Sequence, residues 1–167
     1  VFDSRPSQGG PGPIPANSQR NVFVSGTIGF PAQGGLAGGC GVPVGATSVI
    51  INFVAVGPAG AGNIRAWAVA DPQPAPPLAA VLNYGTVVGL PAIANGVAVP
   101  LCNPAATSCA LGDLRLQADT SATNILGDVV GYFGPVTGLV TSVNSISGPV
   151  TIASGSNISV TPSGSTL

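Results

Sequence analysis

The 167-residue chain has no lysine, no glutamate, no histidine and no methionine. Its charges are Asp3, Arg5, Arg20, Arg65, Asp71, Asp113, Arg115, Asp119 and Asp128, which make 5% of the residues, against about 25% in an ordinary globular protein. Each absence excludes a class of function. Without histidine or lysine, no serine or cysteine nucleophile has its usual base, and no tetrahedral metal set can be completed from the three cysteines. Four scattered arginines at a net charge of −1 exclude a nucleic-acid partner, whose binding rests on clustered cation–phosphate contacts. No apolar run reaches the roughly 20 residues of a membrane helix, so no membrane insertion is expected. Lys and Glu are also the commonest exposed helix formers, and their absence argues against helices. No cofactor is expected, and no residue is assigned as catalytic.

Val, Ile, Thr, Gly and Pro are plentiful instead, with 25 glycines and 17 prolines, a balance that predicts strands joined by many turns. Residues 5–18 and 31–45 read as Pro/Gly loops, and the proline cluster from Asp71 to Pro77 reads as an extended edge segment. Strands are predicted at 20–25, 48–56, 64–70, 80–84, 96–101, 113–118 and 124–133. The most apolar of these, Ser48 to Val56, is expected at the centre of the sheet and covered on both faces. In Asp113-Leu-Arg-Leu-Gln-Ala the leucines Leu114 and Leu116 alternate with Asp113, Arg115 and Gln117, the period of a half-buried strand. The fold class is all-β, a β-sandwich whose strand order, jelly-roll-like or immunoglobulin-like, is open at this stage.

Cys102 and Cys109 bracket a turn-rich stretch between two strands. A disulfide there would pin the turn and place the protein in an oxidising compartment, secreted or on the cell surface. Cys40, in Ala-Gly-Gly-Cys-Gly, has no evident partner and reads as a bond to another loop or chain, or as a small buried residue. The chain opens at Val1 without an initiator Met, as a processed protein or an excised fragment would, and Leu167 stops inside a strand-like pattern, so a continuation is expected.

Character changes near Gly134-Pro135, dividing a sandwich domain (1–134) from a tail (135–167) that has neither charge nor aromatics. The tail offers three short strands around Leu139–Val143, Val150–Ala153 and Ile158–Thr161, each with two or three apolar side chains. So small a piece cannot offset its own ordering entropy, about 1–2 kcal/mol per residue. It is expected to find its missing core on other copies, with Leu139, Val143, Val150, Ile152, Ile158 and Val160 as the oligomerisation residues.

Two stretches carry a resemblance. Val1-Phe-Asp-Ser-Arg, Ala55-Val-Gly-Pro-Ala-Gly-Ala-Gly, Leu82-Asn-Tyr and Gly127-Asp-Val-Val-Gly-Tyr-Phe resemble a β-rich domain of secreted and cell-surface bacterial proteins, over about residues 1–133. That resemblance implies no reaction. The tail from Val140 to Leu167 resembles segments of phage tail fibres and bacterial surface fibres, which implies intertwined three-chain β structure.

Three functions from different classes follow. The first is a non-catalytic extracellular structural module, a subunit or head domain of a fibre, appendage or sheath, whose partner is itself, as a trimer. The second is a carbohydrate-binding or adhesive module taking polysaccharide. Here Trp67 and Arg65 would form a stacking platform if the Ile64/Ala66/Ala68 face of their strand is inward; otherwise Trp67 is a core anchor. The third is an accessory domain of a larger secreted hydrolase. Asp113 and Asp119 are candidates for a calcium site, against the plainer reading of salt-bridged carboxylates. Asp3 is expected to pair with an arginine near the first strand, and Tyr84, Tyr132 and Phe133 to serve in packing.

Overall fold

The computed structural model describes residues 1–69, 79–86, 91–103, 109–134, 142–143, 146–147 and 156. The chain divides into two compact units, Val1–Pro135 and Val136–Leu167. Among the described residues the first holds eight strands: β1 (Phe2–Asp3), β2 (Ser18–Val22), β3 (Ser48–Val56), β4 (Gly62–Ala68), β5 (Leu82–Tyr84), β6 (Ala92–Pro100), β7 (Leu114–Asp119) and β8 (Asn124–Phe133). Among the described residues the only helical turns are two 3-10 turns, Pro6–Gln8 and Pro31–Gln33, in the two Pro/Gly loops. In the second unit, β9 (Ser142–Val143) and β10 (Ile146–Ser147) pair antiparallel.

The eight strands form two antiparallel four-stranded sheets, β1-β8-β3-β6 and β2-β7-β4-β5. Strand 1 pairs with 8, 2 with 7, 3 with 6 and 4 with 5. That is one long antiparallel ribbon rolled over on itself, the jelly-roll order of a double-sheet sandwich. It settles the strand order that composition leaves open. The opening and closing segments of the chain's first unit lie side by side, with Phe2 opposite Gly127, Asp3 opposite Leu126 and the Val1 ammonium 2.8 Å from Gly127 O. Gly127 is needed there, because a Cβ would run into the Phe2 ring.

Alternation puts one face of every strand inward. Val49, Ile51, Phe53, Ala55, Val99 and Ile125 from the first sheet meet Ile64, Leu82, Tyr84, Leu114, Leu116 and Ala118 from the second, all buried in one core with Phe2, Ile14 and Val22. The Leu114/Leu116 period is therefore seen as expected. β3 differs from its expectation. It is central, but its burial alternates, and Ile50 on the outer side is 39% exposed. The run is covered on one face only, because no second layer lies over that side of the sheet among the described residues. Two further differences are local. β1 is a strand, since its backbone completes the edge of β8, and β6 begins four residues earlier than expected, at Ala92.

Cys102 and Cys109 form a disulfide between the end of β6 in one sheet and the start of β7 in the other. Cys40 is an exposed free thiol whose Sγ lies 3.6 Å from Val24 O, which removes burial and a bond to another loop of the same chain from its readings. No helix among the described residues is long and apolar enough to cross a membrane. Of the six tail residues assigned to oligomerisation, Val143 lies in β9; Leu139, Val150, Ile152, Ile158 and Val160 fall outside the described residues.

Candidate functional site

The two sheets turn outward faces of opposite chemistry, and the strand period dictates both. On the β2-β7-β4-β5 sheet, the residues alternating with the core are Gln19 and Asn21, Arg115, Gln117 and Asp119, Asn63, Arg65 and Trp67, and Asn83. Cross-strand neighbours there sit close enough to bond, and they do. Gln19 Nε2 donates to Gln117 Oε1 at 2.9 Å, and Gln117 Nε2 donates to Asp119 Oδ1 at 2.7 Å. Arg65 holds Asp119 with two bonds of 2.6 and 2.8 Å, and Arg115 Nε donates to Asn21 Oδ1 at 2.9 Å. The Arg65 hydrogen bonds hold the Asp119 carboxyl below its ordinary value of 3.8; partial burial opposes this, and the Gln117 bond and the Arg65 charge add to it. This face is polar, and its groups are bonded mainly to one another.

Trp67 lies on that same outer side, since Ile64 faces the core. Its orientation is the one the stacking platform needs, but its ring is 3% exposed. A ring so covered presents no flat face to a sugar, and Arg65 beside it is committed to Asp119. The platform is therefore corrected: Trp67 is a buried anchor outside the main core. Its Nε1 is the one buried side-chain nitrogen or oxygen without a partner among the described residues, a cost of about 1–3 kcal/mol that its packing must outweigh.

The remaining carboxylates take structural positions. Asp3 pairs with Arg5 at 2.6 Å as expected. Burial pushes its carboxyl up, but the hydrogen bonds and charge of Arg5, with the N-terminal charge, bring it below the ordinary value. Asp113 is buried and accepts the N–H groups of Val24 and Ser25, both at 2.7 Å, and the Ser25 hydroxyl at 3.1 Å. Asp113 precedes β7 and Asp119 is its last residue, so the two lie about 20 Å apart at roughly 3.3 Å per residue. They cannot share a calcium ion.

A cavity of about 550 Å³ lies in the Gly-rich loops around Asp113, lined by Phe23, Ile28, Val42, Val44 and Cys109 among others. Its carboxylate is already occupied by the Val24 and Ser25 donors, so what it offers a guest is mainly apolar wall.

The outer face of the β1-β8-β3-β6 sheet is the one that sequence reasoning missed. β6 contributes Ala92, Ala94, Gly96 and Ala98; β3 contributes Ile50, Asn52, Val54 and Val56; β8 contributes Leu126, Asp128, Val130 and Phe133. Of these, Asn52 and Asp128, which sit opposite each other, are polar; the same register adds Ser48 and Asn124 at the strand ends and Asp3 of β1 beside Leu126. Val130 is 73% exposed and Phe133 53%. Tyr84 packs in the core and donates to Ser121 O at 2.5 Å, whereas Tyr132 and Phe133, expected in packing, stand half out of the fold. A β-bulge between Ile50 and Ile51 adds the extra residue in β8 that turns Val130 outward. The signal was present: Ala-Ile-Ala-Asn-Gly-Val-Ala-Val (92–99) puts Ala or Gly at every even position, which leaves that side of β6 nearly flat. Comparison of the chain with protein-family models, with curated proteins and with solved structures gives no match, so its function has to be read from these two faces.

Proposed function

We propose that this protein is a non-catalytic, self-associating structural module, a subunit or head domain of an extracellular fibre or sheath. The observation that carries the reading is the outer face of the β1-β8-β3-β6 sheet, whose three long strands carry mainly apolar side chains and one charge, Asp128. Exposed apolar patches of this continuity mark contact surfaces. With charge this scarce, little repulsion keeps copies apart. The disulfide fits an oxidising compartment, hence secretion or surface display. Jelly rolls occur in capsid and lectin domains, but a fold alone assigns no function; the weight lies on the face.

Magnitudes shape the proposal further. Three strands about 4.8 Å apart and about 30 Å long give roughly 430 Å² per copy, about 900 Å² in a pair, below the roughly 1,200 Å² at which stable interfaces begin. One such contact is weak, and several acting together are strong. The tail supplies the second contact in this reading, joining three chains through Leu139, Val143, Val150, Ile152, Ile158 and Val160.

The test is the mass of the full chain by light scattering, over concentrations from about 1 µM to about 1 mM. The reading requires a mass that exceeds the 16.1 kDa of one chain, rises with concentration and does not fall in high salt, because the contact carries little charge. A 16.1 kDa species throughout would refute it.

A further inference from the structure

We infer that β6 is a pairing edge, and that two copies of this chain join β6 to β6 antiparallel, continuing their β1-β8-β3-β6 sheets into one eight-stranded sheet. The inference rests on the self-association reading and names its geometry. A free strand edge is a template for another strand, and natural proteins blunt it with short edges, charge, proline or covering loops. Three of the four edges here are managed in these ways. β1 has two residues and β5 has three. β2 has five residues and a charge among them, Arg20, whose guanidinium donates to Gly12 O and Pro13 O of the loop before it at 2.6 and 3.0 Å. β6 differs from all three. It runs nine residues without a charge, and among the described residues no strand pairs with its outer side.

The direction of its backbone groups follows from the ladder. Leu101 N–H donates to Thr47 O and Gly57 N–H donates to Pro91 O, both at 2.9 Å and both in register with the β3–β6 pairing. Odd-numbered residues of β6 therefore point their N–H and C=O groups at β3. Alternation turns those of Ala92, Ala94, Gly96 and Ala98 outward. Two such edges about a two-fold axis near Gly96 would exchange about eight hydrogen bonds. The small outward side chains of these residues put no bulk in the way.

A second copy is the occupant because it brings an edge of the same length and the same lack of charge, and a two-fold contact needs no foreign partner. An edge about 30 Å long and about 10 Å thick buries roughly 600 Å² in the pair, below the size of a permanent interface. The pairing is therefore reversible and shows itself where copies are concentrated, as within a fibre. Two-fold edges on heads held by three-chain tails would link assemblies into an open array.

Amide exchange measured by NMR on the full chain tests this without a variant. The amides of Ala92, Ala94, Gly96 and Ala98 should exchange at least about tenfold more slowly at about 1 mM than at about 10 µM. The full-chain variant Ala94→Pro gives a second reading. It deletes an outward N–H and no bond to β3, so the sandwich should keep its thermal midpoint while association weakens by about tenfold. If the wild type associates while these amides stay unprotected, or Ala94→Pro associates as tightly, the edge inference is wrong and self-association by another surface stands. If the amides are protected equally at both concentrations, the edge is covered within one chain and the inference also fails. A wild type that never associates overturns both.

Discussion

The two outer faces of this sandwich are built on the same strand period and end with opposite chemistry. On the β2-β7-β4-β5 side, Gln19, Gln117, Asp119 and Arg65 form a chain of hydrogen bonds, and Trp67 is buried beside them. On the β1-β8-β3-β6 side, Ala94, Val54 and Leu126 lie in register as an apolar row across three strands, with Asp3 of β1 beyond it. The difference teaches that alternation tells which residues face outward, but not whether that outside is water. One face has satisfied its polar groups internally, Trp67 Nε1 excepted. The other has apolar surface left over.

Three substitutions press on that contrast, beginning with the largest effect. Trp67→Ala should destabilise the fold by about 3–5 kcal/mol, as a buried aromatic does, read from the urea midpoint. A loss under about 1 kcal/mol would mean that the polar side is a simple solvated surface. Replacing Cys102 and Cys109 with serine removes the tie between the end of β6 and the start of β7. For a sequence separation of 7 the chain-entropy argument expects a loss of about 2–3 kcal/mol, with association on the apolar face retained. Asp119→Asn should cost about 1–2 kcal/mol at neutral pH, because it breaks charge-assisted bonds to Arg65 and Gln117. Since the folded carboxyl titrates below its ordinary value of 3.8, its contribution is complete above that value and disappears as pH falls through the lower folded value. The variant should therefore lose less stability than the wild type between about pH 4 and pH 2.

Much of the sandwich was legible because period-two alternation and turn chemistry are local. Leu114 and Leu116 in β7, the run from Ser48 to Val56 and the Cys102–Cys109 pair all lie where the sequence places them. Strand order was not legible, since it depends on pairings such as Phe2 with Gly127, 125 positions apart in the chain. The candidate site was missed for a related reason. The apolar residues of β3 were read as covered on both faces, because composition cannot tell a second layer from a contact surface. For Trp67 the sequence left both sides of the strand open; the structure puts it on the outer side and buries it there, which alternation alone does not foresee. The small-residue row of β6 was readable as a pattern, and its meaning needed the ladder that turns Ala92, Ala94, Gly96 and Ala98 toward a free edge.

The most direct measurement places one charge on each face in turn and compares sedimentation of the full chains. Val54→Lys sits amid Ala94 and Leu126 on the apolar face, and Asn83→Lys sits on the exposed polar side of β5. Neither should change stability by more than about 0.5 kcal/mol. The account predicts that Val54→Lys shifts association to at least about tenfold higher concentration, while Asn83→Lys leaves it unchanged. Equal association of both variants and the wild type would contradict it.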